Sequence, residues 1–160
     1  MTKRTREDVS RVIKAYDVRG VVGEEITPEF IRDTGAAFAR LLREEGETTV
    51  AIGHDMRPSS PELAAAFSAG AREQGLDVIM LGLTSTDQLY FASGTLRCAG
   101  AMFTASHNPA EYNGIKLCRS GARPVSQDTG LREITDMLVD GVPAHEGEAG
   151  VEKQQDCLEV

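Results

Sequence analysis

Short apolar runs alternate along this chain with longer stretches in which apolar residues recur at helical spacing. The short runs predict extended segments, because each is bounded by glycine or polar residues. They lie at 12–15, 19–22, 49–53, 77–82, 98–103 and 114–118. Most of the longer stretches open with a capping hydroxyl, often followed by proline, which is typical of a helix start. They begin at Thr27-Pro28, Ser60-Pro61, Ser85 and Thr129.

Strands that alternate with helices predict an α/β fold, a three-layer α/β/α sandwich around a mixed, mostly parallel sheet. The mixed character follows from one short interval. Too few residues separate the run that ends at Phe103 from the run that starts at Gly114 for a helical crossover. We therefore expect the 114–118 strand to run antiparallel to its predecessor.

The sequence predicts one domain over residues 1–139 and an acidic linker over 140–160. After Asp140, carboxylates outnumber the one basic residue, Lys153, and apolar residues become sparse. Such composition is typical of a solvated segment that leads out of a domain. We expect it to lead toward a second domain that these residues do not include.

The composition makes several classes of partner unexpected. A formal net charge of −8 over 160 residues makes binding to nucleic acid or to an anionic membrane unexpected. An anionic substrate would need a local cluster of positive side chains. The three cysteines, Cys98, Cys118 and Cys157, have no disulfide or zinc spacing. Without a signal peptide pattern or a membrane-length apolar run, the expected location is the cytoplasm.

The densest chemistry lies in the segment 101–116, AMFTASHNPAEYNGIK. A buried apolar strand delivers Ser106, His107 and Asn108 to the carboxyl edge of the sheet, where ligands of α/β proteins collect. Lys116, on the returning strand, can bring a positive charge toward the serine. A hydroxyl nucleophile, an imidazole and an ammonium group are parts that phosphoryl transfer needs.

TASHNPAEYNGIK resembles the phosphoserine loop of the α-D-phosphohexomutases, in particular the phosphomannomutase/phosphoglucomutase branch. Two further stretches resemble motifs of that family in the same order: AYDVRG at 15–20 and GHDMRPSSPEL at 53–63. The resemblance covers the first domain of a family whose members have four.

The resemblance implies a reaction and a set of roles. Hexose 1-phosphate and hexose 6-phosphate interconvert through a phosphoserine and a hexose 1,6-bisphosphate, which also serves as activator. Ser106 would carry the phosphate, to which Mg²⁺ binds. His107, Lys116 and Arg19 would assist catalysis. Substrate would contact Tyr16, Arg19, Lys116 and Asn108.

One departure from the family limits what these residues can do alone. The aspartate-rich metal loop of the family's second domain, Asp-Gly-Asp-x-Asp-Arg, does not occur in this sequence. Mg²⁺ prefers several carboxylate and phosphate oxygens in octahedral array. We therefore expect the 160-residue chain to be inactive by itself, and to need the remaining domains of the same enzyme as partners.

Other interpretations stay open. A short, catalytically silent domain that binds a sugar phosphate or a partner protein is the first alternative, and a phosphoglucosamine mutase is the second. A serine hydrolase is disfavoured, because adjacent residues such as Ser106 and His107 point to opposite sides of an extended chain. Asp55, Arg57 and Ser59 are expected to form turns and caps rather than a catalytic set.

Overall fold

The computed structural model describes residues 4–156. A seven-stranded sheet lies between two helical layers, and its strands follow the order β1-β5-β4-β2-β3-β7, with β6 paired to β5. The strands are β1 (Val18–Val21), β2 (Thr49–His54), β3 (Asp77–Leu83), β4 (Ala99–Phe103), β5 (Tyr112–Arg119), β6 (Arg123–Pro124) and β7 (Glu152–Gln154). The helices are α1 (Arg6–Val12), α2 (Pro28–Glu44), α3 (Ser60–Glu73), α4 (Thr86–Leu96) and α5 (Leu131–Asp140), and a 3₁₀ turn spans Gln127–Thr129.

Strand direction confirms the mixed, mostly parallel sheet. β2 pairs in parallel with both β3 and β4, and β3 pairs in parallel with β7. β5 is antiparallel to its neighbours β1, β4 and β6, so it is the strand that opposes the others in the described part of the chain. The short interval after Phe103 therefore produces the predicted antiparallel return.

Side-chain caps fix two of the helix starts where the sequence placed them. The Thr27 hydroxyl accepts a hydrogen bond from the Phe30 amide at the start of α2. Ser85 and Gln88 form a reciprocal capping box at the start of α4. Ser59 precedes α3 but makes no side-chain cap. Its hydroxyl instead accepts a hydrogen bond from the Asn113 side chain.

Successive strand residues face opposite helical layers. On one face, Phe103 packs edge-on against Phe67 of α3, with ring centroids 5.6 Å apart, and Phe67 lies beside Phe38 of α2. On the other face, Met102 packs in a smaller cluster with Leu89 of α4. This alternation decides which side chains of β5 and of the loop after β4 can meet.

The two ends of the domain differ from the sequence-based expectations. Helix α1 was not predicted, because only Val9 and Val12 are buried in a short and highly charged segment. The acidic segment is not wholly solvated, because residues 152–154 pair with β3 as β7. That pairing does not test the prediction that this segment leads toward a second domain. Cys157 lies outside the described residues, whereas Cys98 and Cys118 are buried free thiols.

Candidate functional site

The segment between β4 and β5 forms an exposed loop at the carboxyl edge of the sheet. Ser106 is exposed and has a φ of 54°, in the left-handed region that few residues other than glycine adopt. Its amide donates to the Thr104 hydroxyl at 3.0 Å, and the Asn108 amide donates to the Ala105 carbonyl at 3.0 Å. These two turns hold the serine at the tip of the strand.

Arg57, in the turn after β2, binds this loop through its backbone carbonyls. Its Nη2 donates to the carbonyl oxygens of Ser106 at 3.0 Å and Asn108 at 2.8 Å. Its Nη1 donates to the carbonyls of Pro109 at 2.7 Å and Tyr112 at 3.0 Å. The guanidinium group thus joins the whole loop to the neighbouring strand.

Asp55 connects this guanidinium group to the interior. Its Oδ2 accepts from Arg57 Nε at 3.2 Å, and its Oδ1 accepts from the Ser60 hydroxyl at 2.7 Å. The buried Asn113 side chain donates to the Ser60 hydroxyl at 2.9 Å. A chain of hydrogen bonds therefore runs from the start of β5 through the start of α3 to the loop.

A second polar cluster, made of Asp17, Arg19 and Lys116, follows from the β1–β5 register. Val18 pairs with Ile115, so Asp17 lies level with Lys116, and Arg19 follows on the same face. Lys116 Nζ lies 3.8 Å from one Asp17 oxygen, and Arg19 Nη2 lies 3.9 Å from the other. Arg19 Nη1 also donates to Asn108 Oδ1 at 3.1 Å, which joins this cluster to the loop.

Asp17 of the same cluster influences the pKa of Tyr90 in α4. Burial raises the pKa of its phenol, and the neighbouring Cys118 and Asp17 raise that pKa further. The phenol is therefore neutral at physiological pH, as a tyrosine of ordinary pKa also would be.

The structure brings some predicted site residues together and leaves others apart. Arg19 and Asn108 contact each other, and Lys116 joins them through Asp17. His107 is exposed on the loop, and 73% of Tyr16 is exposed. Both stand at the surface rather than within the contacts between Arg19 and the loop.

A cavity of about 470 Å³ lies beside the loop and includes Arg19 and Asn108 in its lining. Arg11, Lys14 and Glu25 also line it, so basic side chains outnumber acidic ones in its lining. A larger cavity of about 890 Å³ lies between α2 and the segment after α5. None of the predicted site residues lines the larger cavity, so the smaller one is the better candidate for a ligand.

Sequence reasoning missed Asp17 as a site residue and assigned Arg57 to a turn. A signal for Asp17 is present in the Asp-x-Arg spacing of AYDVRG, because alternate residues of a strand share a face. The turn at Arg57 is real, since its amide donates to Asp55 Oδ1 at 3.1 Å. Its contacts with the loop depend on long-range packing that no local pattern encodes.

Two further features are absent from residues 4–156: a cluster of metal-ligating side chains and a membrane-spanning helix. No group of three or more histidine, cysteine or carboxylate side chains in that range could hold a metal ion. No helix in that range is long and apolar enough to cross a membrane.

Most of the chain matches a known protein family. The family described as "Phosphoglucomutase/phosphomannomutase, alpha/beta/alpha domain I" matches residues 10–140. The chain belongs to that family. The match places it as domain I, the first domain, and it includes the Ser106 loop, Arg57 and the cluster of Asp17, Arg19 and Lys116.

Relatives and a solved structure agree with this assignment to domain I. The chain is 48% identical over 126 residues to "Phosphohexose mutases" of Xanthomonas campestris pv. campestris, which covers 78% of this chain and 28% of that protein. It is 44% identical over 124 residues to a phosphomannomutase of Vibrio cholerae, which covers 76% of this chain and 27% of that protein. A crystal structure of a phosphoglucomutase/phosphomannomutase family protein from Burkholderia thailandensis superposes with a TM-score of 0.85 at 32% identity, covering 94% of this chain and 34% of that one. The chain thus spans about a third or less of the length of these relatives.

Proposed function

We propose that this phosphohexomutase domain carries the phosphate that interconverts hexose 1-phosphate and hexose 6-phosphate, with mannose and glucose phosphates as substrates. Phosphorylated Ser106 transfers its phosphoryl group to the free hydroxyl of a hexose monophosphate. The Ser106 O–P bond breaks and a new sugar O–P bond forms, which gives a 1,6-bisphosphate. After the sugar reorients, its other phosphate returns to Ser106.

One observation carries this proposal: Ser106 is exposed on a loop that Arg19 contacts directly through Asn108. A phosphoserine has about −1.5 to −2 charges at neutral pH, so its formation here needs nearby positive groups. Arg19 and Lys116 are held together on one face by Asp17 and supply that charge. The cavity beside the loop gives room for a sugar phosphate.

The remaining predicted site residues have supporting roles in this proposal. Asn108 orients Arg19, and the exposed His107 exchanges a proton with the sugar hydroxyl during transfer. Tyr16, also exposed, contacts the sugar. Mg²⁺ would neutralise phosphate charge when bound, but the described residues do not form a metal site by themselves. Ser106 would provide a ligand through its phosphate, and the other ligands would come from a second domain.

A mutase assay with matched variants tests the proposal. The native polypeptide that contains this sequence should convert mannose 1-phosphate to mannose 6-phosphate with Mg²⁺ and hexose 1,6-bisphosphate. Ser106→Ala should abolish the conversion, whereas Ser10→Ala, at an exposed position of α1, should leave it unchanged. The 160-residue chain alone should not turn over.

Several results would contradict the proposal. Full activity of Ser106→Ala would show that the serine takes no part in the reaction. Efficient turnover by the isolated chain would refute the need for further domains. Inactivity of the wild-type native polypeptide toward mannose, glucose and glucosamine phosphates would favour the silent binding domain. A strong preference for glucosamine phosphate would instead favour the phosphoglucosamine mutase.

A further inference from the structure

Arg57 has an unusual set of partners, because its two terminal nitrogens bind four backbone carbonyls of one loop. We propose that Arg57 is a positioning residue that holds the Ser106 loop in the conformation that accepts phosphate. The inference rests on the proposed function for its catalytic meaning. Its structural part, that Arg57 orders the loop, stands on the contacts alone.

Only an arginine fork suits this arrangement. The guanidinium group presents five N–H donors in one plane, and the Arg57 side chain is 10% exposed. Nε binds Asp55, which leaves the terminal nitrogens for the loop. A lysine has a single nitrogen on a flexible stem and cannot reach four separated carbonyls. Carbonyls left without a partner in this half-buried position would each lose a hydrogen bond.

The loop needs such a restraint because Ser106 is in a disfavoured backbone conformation. The left-handed region is disfavoured for a residue with a side chain, and it persists only where surrounding contacts enforce it. Arg57 Nη2 binds the carbonyl of Ser106 and that of Asn108. Those two bonds restrain the peptides after Ser106 and Asn108, and so the backbone that carries the serine side chain.

The restraint is anchored in the core rather than at the surface. Ser60 and Asn113 are fully buried, and they link Asp55 to the starts of α3 and β5. Asp55 also pairs with the Arg57 charge, and the terminal nitrogens of Arg57 are occupied by the four loop carbonyls. Arg57 therefore acts through the loop backbone rather than by touching the transferred phosphate.

The experiment compares Arg57→Lys with Arg119→Lys. Arg119 is a matched control, because it binds the Glu45 carboxylate and the Thr129 carbonyl from the far end of β5. Amide hydrogen exchange and Ser106 ¹³C shifts are measured on the 160-residue chain. The rate of Ser106 phosphorylation by hexose 1,6-bisphosphate is measured on the native polypeptide over a range of bisphosphate concentrations.

Arg57→Lys should speed exchange at the Asn108 and Tyr112 amides and move the Ser106 shifts away from left-handed values. The limiting phosphorylation rate should fall about 100-fold, the effect of displacing a reacting group by about 1 Å. The bisphosphate concentration at half-maximal rate should change little, since Arg57 does not bind substrate. Arg119→Lys should lower thermal stability without either loop effect.

Unchanged exchange and shifts in Arg57→Lys would overturn the proposal, as would a change confined to the half-saturating concentration. If Arg57→Lys does not fold, Asp55→Asn keeps the volume but removes the carboxylate that orients Arg57, and the same loop and rate changes are expected. If wild-type Ser106 takes no phosphate, the proposed function fails. The loop measurements then still decide whether Arg57 orders the loop.

Discussion

Ser106 combines an exposed hydroxyl with a left-handed backbone at the end of a fully buried strand. Among the described residues, Arg97 and Ala122 are the other non-glycine positions with positive φ. Arg97 ends α4, and Ala122 lies in the turn between β5 and β6, so both have ordinary roles in chain reversal. Ser106 instead uses this conformation to present a side chain.

Burial also controls the ionisation of the Cys98 thiol. Burial raises the pKa of Cys98 from 9.0 to about 11. At pH 8 its thiolate fraction, and hence its alkylation rate, should be about 100-fold lower than for a thiol of ordinary pKa, before any steric protection. We expect the Cys98 peptide to be alkylated by iodoacetamide far more slowly in the native chain than in denaturant, as followed by mass spectrometry. Equal rates in the two conditions would contradict the burial.

The sequence was most informative about residues whose chemistry is local. The sequence predicts Ser106, Asn108 and Lys116 as site residues from one continuous segment, and Arg19 from another. The direct contact between Arg19 and Asn108 and the mediating role of Asp17 depend on strand register, which is a property of the assembled sheet. The loop contacts of Arg57 similarly need the turn after β2 to lie beside the loop after β4.

Helices α2 and α3 approach closely because glycines lie at their contact. A Cβ added at Gly70 would lie 1.9 Å from the Arg32 carbonyl oxygen, and one at Gly35 would lie 2.3 Å from that of Phe67. These are backbone atoms, which cannot move aside as a side chain can. The packing of α2 on α3, and so of one whole face of the domain, depends on these positions.

Gly70→Ala should therefore destabilise the domain although alanine favours helix. The gain in helix propensity is about 1 kcal/mol, and a backbone clash of this kind costs about 1–3 kcal/mol or more. Gly94→Ala is the matched control, because nothing lies within 4 Å of a Cβ there in α4, and it should stabilise by up to about 1 kcal/mol. Urea denaturation measures both. Equal effects of the two substitutions would contradict the close approach.

At the scale of elements, the central strands and capped helices could be read from the sequence, because each carries a local signal. Thr27 and Ser85 bind the amides that their positions predicted. The sequence signals for α1 and β7 are weak. Helix α1 is short and highly charged, and all three side chains of β7 are exposed. β7 forms because an edge of β3 offers backbone partners, which the composition of residues 152–154 does not encode.

The whole molecule places its chemistry at one edge of the sheet. β2 and β4 run in parallel, so the Arg57 turn and the Ser106 loop emerge side by side at their carboxyl ends. β5 returns beside them and brings Lys116 level with β1. An acidic protein thereby brings together two basic side chains, Arg19 and Lys116, around Asp17, and Arg19 contacts Asn108 of the Ser106 loop.

Phosphopeptide analysis of the native polypeptide, after incubation with hexose 1,6-bisphosphate and Mg²⁺, tests the central claim most directly. The account predicts one phosphate on the peptide that contains Ser106, which is absent from the Ser106→Ala variant. A polypeptide without phosphate on that peptide, or with the phosphate on another residue, would contradict the claim that Ser106 carries the transferred group.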